Sequence, residues 1–251
     1  MGLPGGITAC LFDLDGVLTS TASVHRAAWK ETFDAVLMER LGPESREFSD
    51  DDYARFVDGK LRADGVRSFL ESRQISLPLG SPDDPPETET INGVGNRKNQ
   101  KILEVISTDG VLPYAGSVRY LQAARAAGLA IAVVTSSANG DVVLTAAGLD
   151  KYVSARIDGR YIAEQKLPGK PAPDSFLAGA AALRVAPAHA VVFEDAIAGV
   201  QAGRAGRFGY VVGVNRHADD PNSGPAHASA LRDNGADIVV NDLSDLLEEA
   251  R

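Results

Sequence analysis

One feature constrains this chain more than any other: a short apolar run that ends in two acids, Thr8-Ala9-Cys10-Leu11-Phe12-Asp13-Leu14-Asp15-Gly16-Val17-Leu18-Thr19. A buried strand seldom ends on two carboxylates one residue apart. Like charges this close repel unless a cation lies between them or one of them is protonated. Gly16 lets the backbone turn sharply right behind them. The pattern suits a strand end at which a divalent cation, a phosphate and a carboxylate nucleophile meet.

After residue 110 the chain alternates between helix-like and strand-like segments. Gly116 to Ala127 carries Val118, Leu121, Ala124 and Ala127 at helical spacing and leads through Gly128 into Leu129 to Val134. Further apolar runs follow at Ala190 to Phe193, Tyr210 to Val214 and Ile238 to Val240, separated by alanine-rich helical stretches at Asp174 to Leu183 and Ala198 to Ala205. The runs are short, β-branched and continuous, as strands buried on both faces of a parallel sheet should be. The expected fold class is therefore α/β, a doubly wound parallel sheet of Rossmann-like type. Residues 20 to 107 interrupt it without any buried-strand run. His25, Trp29, Phe33 and Val36 keep helical spacing there, as do Phe56, Leu61, Val66, Phe69 and Leu70. The expected division is a core of residues 1–19 and 108–251 with an inserted α-helical cap of residues 20–107. Leu77 to Glu89, acidic and proline-rich, reads as an exposed loop, and Arg216 to Gly235 as loop-rich. No internal repeat is visible.

Composition narrows the function classes. The 251 residues are 44% apolar and 24% charged, with a formal net charge of −9, which fits an ordinary globular enzyme and argues against a nucleic-acid partner. Local cations still allow anionic substrates. The single cysteine, Cys10, sits in an apolar run and reads as a small core residue. No signal peptide and no run of about 18 apolar residues is visible, so no membrane partner is expected, and the expected location is cytoplasmic.

Four segments, in order, carry the chemistry: Asp13-Leu14-Asp15-Gly16, then Thr135-Ser136-Ser137 closing a strand, then Gly169-Lys170-Pro171-Ala172-Pro173-Asp174, then Phe193-Glu194-Asp195-Ala196 closing another strand. Together they resemble the haloacid dehalogenase (HAD) superfamily of phosphohydrolases and phosphomutases, over the whole chain. The resemblance implies that Asp13 attacks phosphorus to form an aspartyl phosphate and that Asp15 is the general acid and base. It implies a Mg²⁺ cofactor held by Asp13, the main-chain carbonyl of Asp15 and Asp195, with Glu194 alongside. Thr135 would donate to a phosphoryl oxygen, and Lys170 would supply a positive charge to the phosphate and to Asp13. Singly, the segments have plainer readings: Thr135 as a turn residue, Lys170 as a surface lysine, Glu194 and Asp195 as helix-start acids. Asp13 and Asp15 together do not, since two carboxylates at an apolar strand destabilise a fold that offers them no partner.

The insertion carries a closer likeness. Thr19-Ser20-Thr21 with His25 and Trp29, Asp58-Gly59-Lys60-Leu61-Arg62, and Arg97-Lys98-Asn99 look like the cap of the β-phosphoglucomutase group. That likeness implies a cap closing over a phosphorylated sugar, with Arg62 on the phosphate distal to the reacting one. The run Arg97-Lys98-Asn99 would contact sugar hydroxyls, the segment Ser137-Ala138-Asn139 would complete the distal site, and Gly59 and Ser136 would also bind substrate. His25 and Trp29, four residues apart on one helix face, read equally as cap core. Two positions depart from the group: Ala138 stands where the mutases place a lysine, and Ala196 where they place a serine. The missing lysine removes a charge-assisted contact of about 1.5–3 kcal/mol. The implied activity is β-phosphoglucomutase. The alternative is a sugar-phosphate phosphatase, disaccharide phosphates such as trehalose phosphate included, and a catalytically silent metabolite binder ranks last. A monomer is expected.

Overall fold

The structure, a computed structural model, describes residues 1–221 and 223–248. Its apolar runs form six strands: β1 (Ala9–Phe12), β2 (Ala130–Val134), β3 (Ala155–Ile157), β4 (Ala190–Glu194), β5 (Tyr210–Val214) and β6 (Ile238–Val240). They make one sheet in the order β3-β2-β1-β4-β5-β6, with every neighbouring pair parallel. The order reverses beside β1. In sheets of this kind, ligands bind outside the carboxyl ends of the strands at that reversal.

Alternation along β1 explains why both faces are covered. Phe12 stacks on Phe193 at 4.4 Å, and Tyr120, from the helix Ala115–Ala126, meets both rings edge-on. Leu11 points the other way, where the helix Asp174–Ala182 approaches so closely that a Cβ on Gly179 would lie 3.0 Å from Leu11 and 2.9 Å from Val134. The helices Ile197–Ala205 and Gly224–Asp233 pack on β4, β5 and β6.

Two elements depart from the expectation. Gly224–Asp233 is a ten-residue helix inside the segment read as loop-rich. Pro225 sits in its first turn, where a missing N–H goes unused, so the Gly-Pro pair marks a helix start rather than a loop. Strand β3 carries no apolar run: it lies at a sheet edge, and Arg156 stands exposed between Ala155 and Ile157.

Contacts divide the chain into two compact units, Met1–Ser20 with the chain from Val111 on, and Thr21–Gly110. The regular elements of the second unit are all helical: Ala22–Leu41, Asp50–Asp52, a π-helical turn at Tyr53–Val57, Arg62–Ser72 and Ile91–Asp109. Its core gathers Trp29, Phe33, Val36, Leu37, Phe48, Tyr53, Val66, Phe69 and Ile91, with the rings of Phe33, Phe48 and Phe69 in mutual contact. Among the described residues, no helix is long and apolar enough to cross a membrane.

Asp52 locks one end of this unit. Its buried carboxylate accepts from Ser49, Arg46 and Arg73. Burial alone would raise its pKa, but these donors outweigh burial and bring it down to about 2. A pKa lower in the folded than in the unfolded chain stabilises the fold above the unfolded value and is lost as pH falls through the folded one. Asp52→Asn is therefore expected to lower stability by about 2 kcal/mol at neutral pH. Urea unfolding should show the gap closing as pH drops from 3.8 toward about 2. A gap independent of pH would count against the ion cluster.

Candidate active site

The parallel register sets the acids side by side. Phe12 pairs with Phe193 on one side and with Val133 on the other. The next residue along β1 is Asp13 and the next along β4 is Glu194, so the two carboxylates stand level at the strand ends. The main-chain N–H of Asp13 donates to the carbonyl of Phe193 at 2.9 Å, extending the pairing one step. Thr135 follows β2 directly and is buried.

Lys170 lies among them with no side-chain exposure. Its ammonium donates to Asp13 Oδ1 at 2.6 Å, to Glu194 Oε2 at 3.3 Å and to the Val134 carbonyl at 3.3 Å, and it stands 4.7 Å from the centre of the Phe176 ring. These contacts use all three of its donors. Burial works against the charge, but Asp13 and Glu194 outweigh it and hold the lysine pKa well above the ordinary value. For Asp13, burial is the largest influence and raises the pKa. Lys170 lowers it, the neighbouring Asp15 raises it again, and the net shift is upward.

Thr135 Oγ1 accepts from the Ser137 N–H at 3.0 Å and donates to Asp15 Oδ2 at 3.5 Å. Asn139, buried, precedes the helix Gly140–Ala146, and its N–H donates to Ser137 Oγ at 3.2 Å. Ser136, Ser137 and Asn139 thus form one turn behind Thr135. Gly16, at φ +87°, is required twice over. The angle favours glycine, and a Cβ there would fall 1.9 Å from Asp195 Oδ2. Gly199 clears the same kind of space for Glu194.

Asp13, Glu194 and Asp195 each bring a ligand atom to within 4.8 Å of the others. Asp15 stands near enough to Asp13 to raise its pKa, and like charges gathered this closely favour a cation among them. An all-oxygen carboxylate set is the donor chemistry of Mg²⁺, so the residues fit that ion.

The helical unit places the remaining candidates as follows. His25 Nδ1 lies 2.9 Å from Lys98 Nζ. An ammonium only donates, so the ring nitrogen accepts and its proton resides on Nε2. Burial, then Lys98 and Arg62, hold the His25 pKa well below its usual value, so the ring is neutral. Lys98 is buried and stands 4.9 Å from the Trp29 ring centre. Trp29 itself stacks on Phe33 at 4.9 Å in the core of the unit, so it acts on this cluster through Lys98. Gly59, at φ +72°, turns the chain between the π-helical turn and Arg62. Asn99 lines a groove with Asn96, Gln100 and Leu103.

Two contributors escaped the sequence reading. Asn96 Nδ2 donates to the carbonyls of Pro82 and Asp84, which leaves its Oδ1 to accept from Arg62 Nη1 at 2.9 Å. The acidic loop therefore orients Arg62 through one amide. His227 Nε2 donates to the Asp195 carbonyl at 3.0 Å. Neither partnership leaves a local signal, because the partners lie 34 and 32 residues apart in sequence.

Comparison with known proteins agrees with this geometry. A family model for haloacid dehalogenase-like hydrolases matches residues 7–207. The chain is 53% identical over 251 residues to the protein named beta-phosphoglucomutase of Mycobacterium tuberculosis (strain CDC 1551 / Oshkosh), covering 98% of this chain and 94% of that one. It is 29% identical over 242 residues to the beta-phosphoglucomutase of Bacillus subtilis (strain 168), covering 96% and 92%. In fold it resembles the crystal structure of beta-phosphoglucomutase from Clostridium difficile, with a TM-score of 0.73 at 23% identity over 97% of this chain and 96% of that one. The sheet, the strand-end acids with their buried lysine, and the matched sequence agree: the chain belongs to the haloacid dehalogenase-like hydrolase family.

Proposed function

We propose that this enzyme is a Mg²⁺-dependent β-phosphoglucomutase, converting β-glucose 1-phosphate to glucose 6-phosphate through a glucose 1,6-bisphosphate intermediate. The observation that carries the reading is the 53% identity to the mycobacterial β-phosphoglucomutase over nearly the whole of both chains. The buried Asp13–Lys170–Glu194 cluster supports it.

Asp13, Glu194 and Asp195, with the Asp15 main-chain carbonyl, would hold Mg²⁺, which when bound neutralises charge on the phosphoryl oxygens. Asp13 attacks the phosphorus of the bisphosphate. Its oxygen forms the new P–O bond while the bond to the sugar oxygen breaks, and Asp15 gives that oxygen its proton. Glucose 6-phosphate leaves, and Asp15, now a carboxylate, takes the proton from the C6 hydroxyl of an incoming β-glucose 1-phosphate as that oxygen attacks the aspartyl phosphate and remakes the bisphosphate. Asp13 is thereby restored. Lys170 stays protonated and offsets charge on Asp13 and the phosphoryl group, and Thr135 donates to a phosphoryl oxygen. In a loose transition state such positioning and neutralisation carry most of the rate.

We assign Arg62 to the phosphate that is not being transferred, and Ser136, Ser137 and Asn139 to the same end. His25, Lys98, Gly59 and Asn99 serve the sugar, with Trp29 supporting Lys98. Thr21–Gly110 is the cap in this reading, and the enzyme acts as a cytoplasmic monomer in carbohydrate metabolism.

Ala138 favours a second reading, since it offers no charge to a distal phosphate: a sugar-phosphate phosphatase with water as final acceptor. The product decides. Protein with Mg²⁺, β-glucose 1-phosphate and a trace of the 1,6-bisphosphate is expected to yield glucose 6-phosphate, whereas inorganic phosphate released at a comparable rate would establish the phosphatase. Arg62→Ala is expected to raise KM for the bisphosphate roughly ten- to a hundredfold, the scale of a lost charge-assisted hydrogen bond. It should leave a small phosphate ester much less affected. Equal effects on both would remove the distal-phosphate role.

A further inference from the structure

Arg216 stands two residues beyond β5, at the same carboxyl edge of the sheet as Asp13. Its guanidinium has all five N–H donors engaged, each with a different acceptor. Nε donates to the Gly16 carbonyl at 2.9 Å. Nη2 donates to the Val17 carbonyl at 3.0 Å and to Ser117 Oγ at 3.1 Å. Nη1 donates to the Asn241 carbonyl at 3.0 Å and to Asp242 Oδ2 at 2.9 Å. The plane lies over Tyr114, 3.8 Å from the ring centre, and the side chain is only 14% exposed.

Two of those acceptors are consecutive carbonyls of the turn that carries Asp15. The turn needs outside support. Its glycine has the freest backbone of any residue, and its own bonds, Gly16 N–H to the Thr19 carbonyl at 2.8 Å and Leu18 N–H to the Leu14 carbonyl at 2.9 Å, do not engage the Gly16 and Val17 carbonyls. Ser117 Oγ donates to the Val17 carbonyl at 2.7 Å, and the Tyr114 N–H donates to the Leu18 carbonyl at 3.0 Å. The guanidinium thus joins the outgoing turn, the returning segment 114–117 and the loop after β6 in one planar bracket. A lysine could not replace it, because three donors on a point charge cannot span five acceptors in a plane.

We propose that Arg216 is a positioning residue for Asp15, holding the Gly16 and Val17 carbonyls so that the Asp15 carboxyl meets the departing oxygen. This rests on the acid–base role proposed for Asp15. A merely structural arginine would slow every substrate alike. An arginine that aims the acid matters only where the departing oxygen needs a proton.

The test is single-turnover release of the leaving group, with enzyme and Mg²⁺ in excess. The leaving group of glucose 1,6-bisphosphate is a sugar alkoxide, which needs the proton, and that of p-nitrophenyl phosphate is a stable phenolate. Parent, Arg216→Lys, Arg216→Gln and Asp15→Asn are compared, with rates normalised to the folded fraction from thermal unfolding. Arg216→Lys is expected to slow the bisphosphate at least about tenfold, within the range of general acid catalysis, and the aryl ester about threefold or less. Arg216→Gln should follow the same pattern. Equal slowing of both esters, or none, in both Arg216 variants overturns the proposal. If Asp15→Asn shows the leaving-group dependence and the Arg216 variants do not, only the role of Arg216 falls. If Asp15→Asn lacks it, the acid–base reading falls and takes this proposal with it.

Discussion

Asp13→Asn is expected to abolish phosphoryl transfer while leaving the fold in place. The replacement is nearly isosteric, and its side-chain carbonyl can still accept from Lys170, which now donates to Asp13 at 2.6 Å. What disappears is the anionic oxygen that forms the bond to phosphorus. Losing a covalent nucleophile from a preorganised site reduces kcat on the scale of about a millionfold. Glucose 6-phosphate formation and acid-stable labelling of the protein by phosphate should vanish together, with an unfolding midpoint close to that of the parent. Turnover near the parent rate would show that Asp13 is not the nucleophile.

Lys170→Met should cost both activity and stability. The ammonium is fully buried between Asp13 and Glu194, and methionine fills a similar volume with no charge. The substitution therefore leaves two buried carboxylates facing each other without their cation. Removing one partner of a buried ion pair destabilises by about 3–5 kcal/mol, mostly because the other charge is stranded. If stranding is the cause, adding Glu194→Gln should recover part of the loss. The double variant would then be more stable than the sum of the two single losses, a coupling that urea unfolding of the four proteins measures directly. Strict additivity would mean that Lys170 stabilises by packing alone, for example through its contact with Phe176.

The sheet was legible because five of its strands read as continuous apolar runs; β1, β2, β4, β5 and β6 all sit where those runs are. Strand β3 was not, because an edge strand with Arg156 exposed carries no such run. The helix Gly224–Asp233 was hidden by Pro221, Gly224 and Pro225, residues that punctuate loops and helix starts alike. The π-helical turn at Tyr53–Val57 interrupts a spacing that otherwise continues from Phe56 to Leu70. At the site, Asp13 and Asp15 stood out because two carboxylates at an apolar strand are hard to explain otherwise. Glu194 and Asp195, readable singly as helix-start acids, stood out only as part of the four-segment resemblance. The burial of Lys170 and Lys98 was not legible, since a lysine reads as exposed until its surroundings are known. Arg216 was invisible for a further reason: its acceptor Gly16 lies 200 residues away.

The level pairing of Phe12 with Phe193 and Val133 has a bearing on how this protein can tolerate insertions and deletions. Adding one residue within Ala9–Phe12 would preserve the oily character of the segment and most of its pairing potential, yet it would swing Asp13 onto the opposite side of the sheet. The same addition in the stretch 82–89 would change no strand. Length changes accumulating among descendants of this chain should therefore spare the four residues before Asp13 and collect in its connecting stretches.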